Sequence, residues 1–280
     1  MGKTFTYPKR SSNTVNRHND QGTFISSCYQ WAIQAVLLTP LATYDLGAIH
    51  SIINSSQVVH VSFSPGPSDP FPAILPMIGQ MGSFDYPSAD LNESLDCYIH
   101  GYVSSRIMNL ARKTEGDGLP ICVAATKVDG LVLSLTPFSH SYNYRSAVLH
   151  GYASLVTDEA EKKWALELIT NSVVPDRWDN TRVPADGGEM SSTVILKVKV
   201  VDGSGKTRTG GANDDKKDTE NDEVTGRVWT GVVPVWETFG QPVPGPGNKV
   251  PLPGYLHSFV ARHNHQNRTI AEGTATGKDC

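Results

Sequence analysis

The sequence predicts a mainly β protein, an antiparallel barrel with α-helices at its periphery. Three observations lead there. The 280 residues include 25 glycines and 18 prolines, a supply of turn formers that suits many short strands better than a helix bundle. About seven β-branched or aromatic runs are separated by turn residues. Segments with helical spacing are few and flank those runs instead of alternating with them. The length permits one large or two small domains, and a 39% hydrophobic content supplies a core.

In chain order, residues 1–22 carry few apolar groups and read as an extended arm. Residues 23–240 read as the main domain and 241–280 as a Pro/Gly-rich, then polar, irregular tail. Cys28–Leu38 is compatible with a helix, stopped at Thr39-Pro40. A second helix is expected from Asp45 to Asn54, where Leu46, Ile49, Ile52 and Ile53 recur at helical spacing. Val58–Phe63 reads as a strand that ends in the Pro- and Gly-rich loop Ser64–Pro72. Ala73–Gly79 and Leu95–Gly101 follow as strands, then a short helix over Arg106–Lys113 with Ser104 or Ser105 at its N-cap. Ile121–Thr126 and Leu131–Leu135 flank Asp129-Gly130, a dipeptide that signals a hairpin turn. Tyr144–Val156 reads as a long strand. Thr157 is expected to cap a helix to about Val173, with Trp164, Ala165, Leu168 and Ile169 facing inward. Thr193–Val200 and Val228–Glu237 read as strands on either side of an exposed loop, residues 202–226.

Charge and cysteine usage narrow the function. With 24 Lys+Arg against 28 Asp+Glu the formal net charge is -4, which argues against a partner of nucleic acid or acidic lipid. Cys28, Cys97, Cys122 and Cys280 show no CxxC spacing, so neither a zinc site nor a disulfide framework is implied. The polar, basic N-terminus has no apolar run of the secretory kind, and Trp31–Leu38 is too short to span a bilayer. A cytoplasmic protein is expected, and the sequons at Asn54, Asn92 and Asn267 are then chance matches.

Two segments concentrate chemistry. In Tyr98–Arg106 a strand ends near Gly101 and a helix begins near Ser105, so two hydroxyls and a guanidinium meet unpaired backbone N–H groups. Those are the ingredients of a phosphate site, although an ordinary N-cap with a surface arginine has the same letters. Ser139–Ser146 packs polar and aromatic groups before an apolar strand, which suits either a ligand mouth or a hydrogen-bonded turn.

The series HVSF, ILPMIG, YIHGYVSSRIMNL, CVAATKVDGLVLS and HSYNYRSAVLHGYA, in that order, resembles the pyridoxamine-phosphate-oxidase-like FMN-binding split-barrel superfamily. Within it, the likeness is to the branch of nitroimidazole-resistance and flavin-nucleotide-binding proteins. It extends from about Arg10 to Tyr255, through VPDRWDNTRVPA, Lys206–Gly210 and VWTGVVPV. The resemblance implies a split barrel and a homodimer that holds FMN, with backbone groups of Ile74, Leu75, Pro76 and Met77 facing the flavin ring. It assigns the flavin phosphate to His100, Gly101, Ser104, Ser105 and Arg106, and a further flavin contact to Arg145. Trp229 corresponds to an aromatic cover of the flavin, or else to a core or interface tryptophan.

Three departures qualify the likeness. The vitamin B6 oxidases carry Ser-Arg-Lys where this chain has Ser105-Arg106-Ile107, so one cationic phosphate contact is missing. Their C-terminal pyridoxamine-phosphate residues are not recognisable here. Residues 25–43 look like an insertion, either an accessory helix or a gene-model artefact.

The implied activity is that of an FMN-dependent oxidoreductase acting on a small organic molecule, a nitro-aromatic compound or a specialised metabolite, with NADH or NADPH as an electron donor. His100, His140 and Tyr142 are the candidates for touching substrate. The alternatives are a flavin carrier or sensor without turnover, and a haem-binding split barrel ligated by His100 or His140. Asp202–Thr207 ends like a phosphate-binding loop but lacks the earlier glycine and reads as a hairpin loop. His263 and His265 read as solvated, and His60 and His150 as structural.

Overall fold

Alternation decides most of the strands. In β2 (Val59–Phe63) Val59, Val61 and Phe63 are buried while His60 is exposed, the period of two that a half-buried strand requires. The computed structural model describes residues 5–8 and 42–277. Most of the expected arm, the Cys28–Leu38 helix and the insertion up to residue 41 lie outside the described residues. The chain divides into two units, Met1–Thr126 with Ser146–Lys206, and Lys127–Arg145 with Thr207–Cys280.

The first unit starts at β1 (Ala42–Thr43) and α1 (Leu46–Ser55). Asp45 caps α1 by accepting the Ala48 N–H at 2.8 Å, and Leu46, Ile49, Ile52 and Ile53 form its buried stripe. After β2 come β3 (Ala73–Met77), β4 (Gly79–Gly82), β5 (Asp96–Tyr102) and α2 (Arg106–Lys113). The long strands β6 (Leu119–Leu133), β7 (Ser141–Leu155) and β8 (Thr193–Arg208) complete the sheet, with α3 (Glu159–Val173) and α4 (Gly187–Ser192) between the last two. The strand order is β3-β2-β6-β7-β8-β5-β4, with β1 added to β8. β3 and β4 end this order and share only the link residue Ile78. The sheet is therefore open at one seam, as in a split barrel. A single stretch over Ala73–Gly79 was expected; the break at Ile78 is what makes that seam.

The core inside this unit is built from α1 and the inward residues of the strands, among them Val61, Ile99, Val123, Leu149 and Leu196. β7 passes so close to β8 that a Cβ on Gly151 would meet the Lys199 carbonyl oxygen at 2.5 Å, so only glycine fits there. α3 buries Ala165 and Ile169 against Tyr98 and Ile195, with Trp164 and Leu168 beside them. Its N-cap is Asp158, which accepts the Glu161 N–H at 2.7 Å, one residue beyond the expected Thr157.

In the second unit the Asp129-Gly130 pair does not turn. β6 runs straight through it and pairs with β9 (Gly231–Pro234), Gly130 opposite Pro234 and Leu133 opposite Gly231. Two local facts override the turn signal. The Asp129 carboxylate is buried in a two-pronged pair with Arg145, both contacts 2.8 Å, and a Cβ on Gly130 would lie 2.8 Å from Val232. The expected loop 202–226 also differs. β8 continues to Arg208 with Asp202, Gly203, Ser204 and Gly205 buried, and α5 (Lys216–Thr219) and α6 (Asp222–Thr225) follow. The segment Asp202–Thr207 is thus strand, not a hairpin loop. The tail expected to be irregular ends in α7 (Gly254–Thr276). Tyr255, Phe259, His263, Asn267 and Ile270 are half-buried, and Ala271 and Thr274 fully so, a one-sided pattern of helical period. Among the described residues no helix is long and apolar enough to cross a membrane.

Candidate functional site

The end of β5 and the start of α2 concentrate unsatisfied polar groups. Ser105 is the N-cap of α2 with extended backbone (φ −64°, ψ 151°), yet its side chain makes no capping bond. Its Oγ is buried without a hydrogen-bond partner among the described residues, and so is Nδ1 of His100. Burial lowers the His100 pKa from its ordinary value, so the imidazole is neutral at pH 7. Such atoms cost free energy unless something bonds them. The first N–H groups of α2 add unpaired donors at the positive end of the helix dipole.

Arg106 completes the group from the rim. Its side chain is 58% exposed and makes only long contacts, 3.7 Å to the Asp69 carboxylate and 3.4 Å to the Pro65 carbonyl. A guanidinium held that loosely can turn toward an anion. Ser104 is exposed, and Gly101 brings the parts together: a Cβ there would lie 3.5 Å from Met77 Cε and 3.9 Å from Ser105 Oγ. The end of β3 therefore stands beside the β5–α2 junction. β3 also ends the strand order, so among the described residues one of its backbone edges has no strand partner. Its other edge pairs with β2, Ile74 opposite Ser62 and Pro76 opposite His60. Ile74 and Pro76 are exposed, and Leu75 and Met77 are half-buried.

The remaining candidates belong to the second unit. Arg145 commits Nε and Nη2 to Asp129. Nδ1 of His140 lies 2.9 Å from the Thr136 carbonyl and 3.1 Å from Ser134 Oγ, closing the short turn over Pro137–Ser139. Tyr142 and Trp229 are exposed. His263 is not solvated: it stacks on Phe239 with centroids 4.1 Å apart. A second cluster, Cys122 with His150 and Asp202, escapes sequence reasoning altogether, because its members lie on three strands and only their register unites them.

The split-barrel fold agrees with its similarity to known proteins. The family model for pyridoxamine 5'-phosphate oxidase matches residues 45–207, more than half of the chain. The chain belongs to the pyridoxamine 5'-phosphate oxidase family. The matched region runs from the cap of α1 into β8, and so includes β3, β5 and α2 with all the polar atoms described above. Among solved structures, the flavocytochrome Anf3 from Azotobacter vinelandii is 27% identical, with a TM-score of 0.64, covering 78% of this chain and 92% of its own. The FAD and heme binding protein from Mycobacterium smegmatis is 23% identical, with a TM-score of 0.63, covering 78% of this chain and 97% of its own, and shares the fold. No match is found among curated proteins.

Proposed function

We propose that this protein binds FMN at the β5–α2 junction and acts as a flavin-dependent oxidoreductase on a small organic molecule. The observation that carries the reading is the pair of buried, unbonded atoms, His100 Nδ1 and Ser105 Oγ. A phosphate brings acceptor oxygens, and the Ser105 hydroxyl, the α2 N–H groups and the Arg106 fork are all donors. His100 joins them in the tautomer that carries hydrogen on Nδ1. The residues present therefore fit an anionic tail. The free edge of β3 offers backbone groups of alternate residues within the stretch Ile74, Leu75, Pro76 and Met77 to a flat polar ring. When bound, a flavin supplies hydride or single-electron transfer. The protein's part is to anchor the tail, orient the ring and shape access to it. The reading includes a cytoplasmic homodimer, reduction by NADH or NADPH, and Trp229 as a cover over a flavin.

A second reading adds haem. The 27%-identical structure is a flavocytochrome, and His100 presents a neutral ring nitrogen with no protein partner among the described residues. One preparation separates the two. Purified protein is expected to bind FMN, with flavin bands in the blue and near-ultraviolet, and mass spectrometry of the released cofactor identifies the nucleotide. FAD in place of FMN would correct the nucleotide and keep the anion site. A Soret band would establish haem. A colourless protein that does not take up FMN on titration would overturn the flavin reading.

A further inference from the structure

Three adjacent strands of the first unit, β6, β7 and β8, each contribute one reactive side chain to the same cavity. Cys122 comes from β6, His150 from β7 and Asp202 from β8, and the cavity they line has a volume of about 550 Å³. Nδ1 of His150 lies 2.7 Å from Oδ1 of Asp202, and the Cys122 side chain lines the same cavity, close enough to raise the imidazole's pKa. Asp202 is almost fully buried, with 8% of its side chain accessible, while His150 is 38% accessible. A buried carboxylate thus orients an imidazole that reaches toward the solvent side, and a free, half-buried thiol lines the cavity with it. A nucleophile, a base and an orienting group in that order are the arrangement of an activated thiol.

We propose that Cys122, His150 and Asp202 form a reactive-thiol site that takes small α,β-unsaturated carbonyl compounds and adds them covalently to the Cys122 sulfur. This goes beyond flavin binding and uses none of the atoms at the β5–α2 junction. Phe63, Phe71, Pro72 and Ile121 give the cavity apolar wall for a carbon skeleton. Cys122 and, against the opposing effect of burial, the bond to Asp202 raise His150 to about 9. An imidazole of raised basicity is the better acceptor for the thiol proton. The step balances without an oxidant. The imidazole takes the thiol proton, Sγ bonds to the β-carbon, and the C=C π pair moves to the α-carbon. That carbon then takes the proton back from the imidazolium. A disulfide is the less suited outcome, because the other described cysteine, Cys97, is fully buried in the core.

Asp69 and Tyr152 line the same cavity, Asp69 faces Arg106 at 3.7 Å, and Tyr7 interacts with Asp202. The test uses N-ethylmaleimide on the full chain from pH 5.5 to 8.5, with Cys122 labelling followed by peptide mass spectrometry and glutathione as the free-thiol reference. Expected is a Cys122 rate at pH 6 at least ~10-fold above that of glutathione, nearly flat up to pH 8. His150→Gln should remove that excess at pH 6, and Asp202→Asn should reduce it. A wild-type Cys122 rate that climbs about tenfold per pH unit like an ordinary thiol, or no Cys122 adduct in the folded protein, overturns the proposal. The wild-type profile decides the matter even if the variants fail to fold.

Discussion

Ser105→Ala should stabilise the flavin-free protein and weaken flavin binding at once. The Ser105 hydroxyl is buried and unbonded, and a buried hydroxyl without a partner costs about 1–3 kcal/mol. Removing an N-cap serine ordinarily costs about 1 kcal/mol because a capping bond is lost. Here the side chain makes no such bond, so that loss does not arise. Taking the low end, the variant gains about 1 kcal/mol, which raises Tm by roughly 2–4 °C for a domain of this size. In the proposed FMN complex the same hydroxyl would donate to a phosphate oxygen, and a hydrogen bond to a charged group is worth about 1.5–3 kcal/mol. Its removal should weaken FMN by about 10- to 150-fold. Calorimetry of flavin-free protein and titration by quenching of flavin fluorescence give the two numbers. Opposite signs are what an atom kept unbonded for a ligand produces. A lower Tm together with an unchanged Kd would refute the reasoning, because the hydroxyl would then serve the fold alone.

Arg106→Ala should weaken FMN by about 10-fold or more while changing flavin-free stability by less than about 0.5 kcal/mol, since its exposed pair with Asp69 is 3.7 Å long; titration and chemical denaturation check both. Gly151→Ala should cost about 2 kcal/mol or more in urea unfolding, because the added Cβ would press on the Lys199 carbonyl at 2.5 Å and backbone cannot easily give way. Asn264→Ala removes two bonds to the backbone of Phe239, 2.7 Å from its N–H and 2.9 Å to its carbonyl. It should speed hydrogen exchange along Gly254–Thr276 at a cost of about 1–3 kcal/mol. Stability should also depend on His150: its pKa is raised by Cys122, against burial, from 6.5 to about 9. That contribution is full below about pH 6.5 and is lost as pH rises through about 9. A His150→Gln variant whose stability falls with alkali as steeply as the wild type would contradict it.

The proposed anion site was legible because seven consecutive residues make it up. His100 to Arg106 carry the strand end, the cap and the guanidinium in one stretch, so local chemistry suffices to read them. The unbonded state of Ser105 Oγ was not legible, because serine at an N-cap normally bonds its own helix and only packing shows that this one does not. Asp129-Gly130 misled for a tertiary reason. The dipeptide favours a turn in isolation, and a buried ion pair with Arg145 together with the close approach of β9 holds it in a strand. The last helix was hidden by its own inner face. Asn264 and Asn267 occupy positions where periodicity looks for apolar residues, and they face inward to bond the backbone at Phe239 and Glu237.

The Cys122 cluster follows a different rule, and that rule constrains how the barrel can vary. His150 and Asp202 are 52 residues apart in sequence, and no local pattern marks either. What places them is alternation: Cys122 sits between the buried Ile121 and Val123, and His150 follows the buried Leu149. Core and cavity residues therefore share one register. A slip of one residue in β6 or β7 would carry a core side chain to the cavity and bury the thiol or the imidazole in its place. The apolar residues that hold the barrel together thus also fix the aim of the reactive ones. The close fit of Gly151 against β8 pins β7 where His150 can reach Asp202. A substitution that let β7 move should therefore disturb Cys122 reactivity along with stability, and Gly151→Ala tests this on the same maleimide assay. Loss of stability with the pH 6 rate intact would show that the cluster does not depend on that packing.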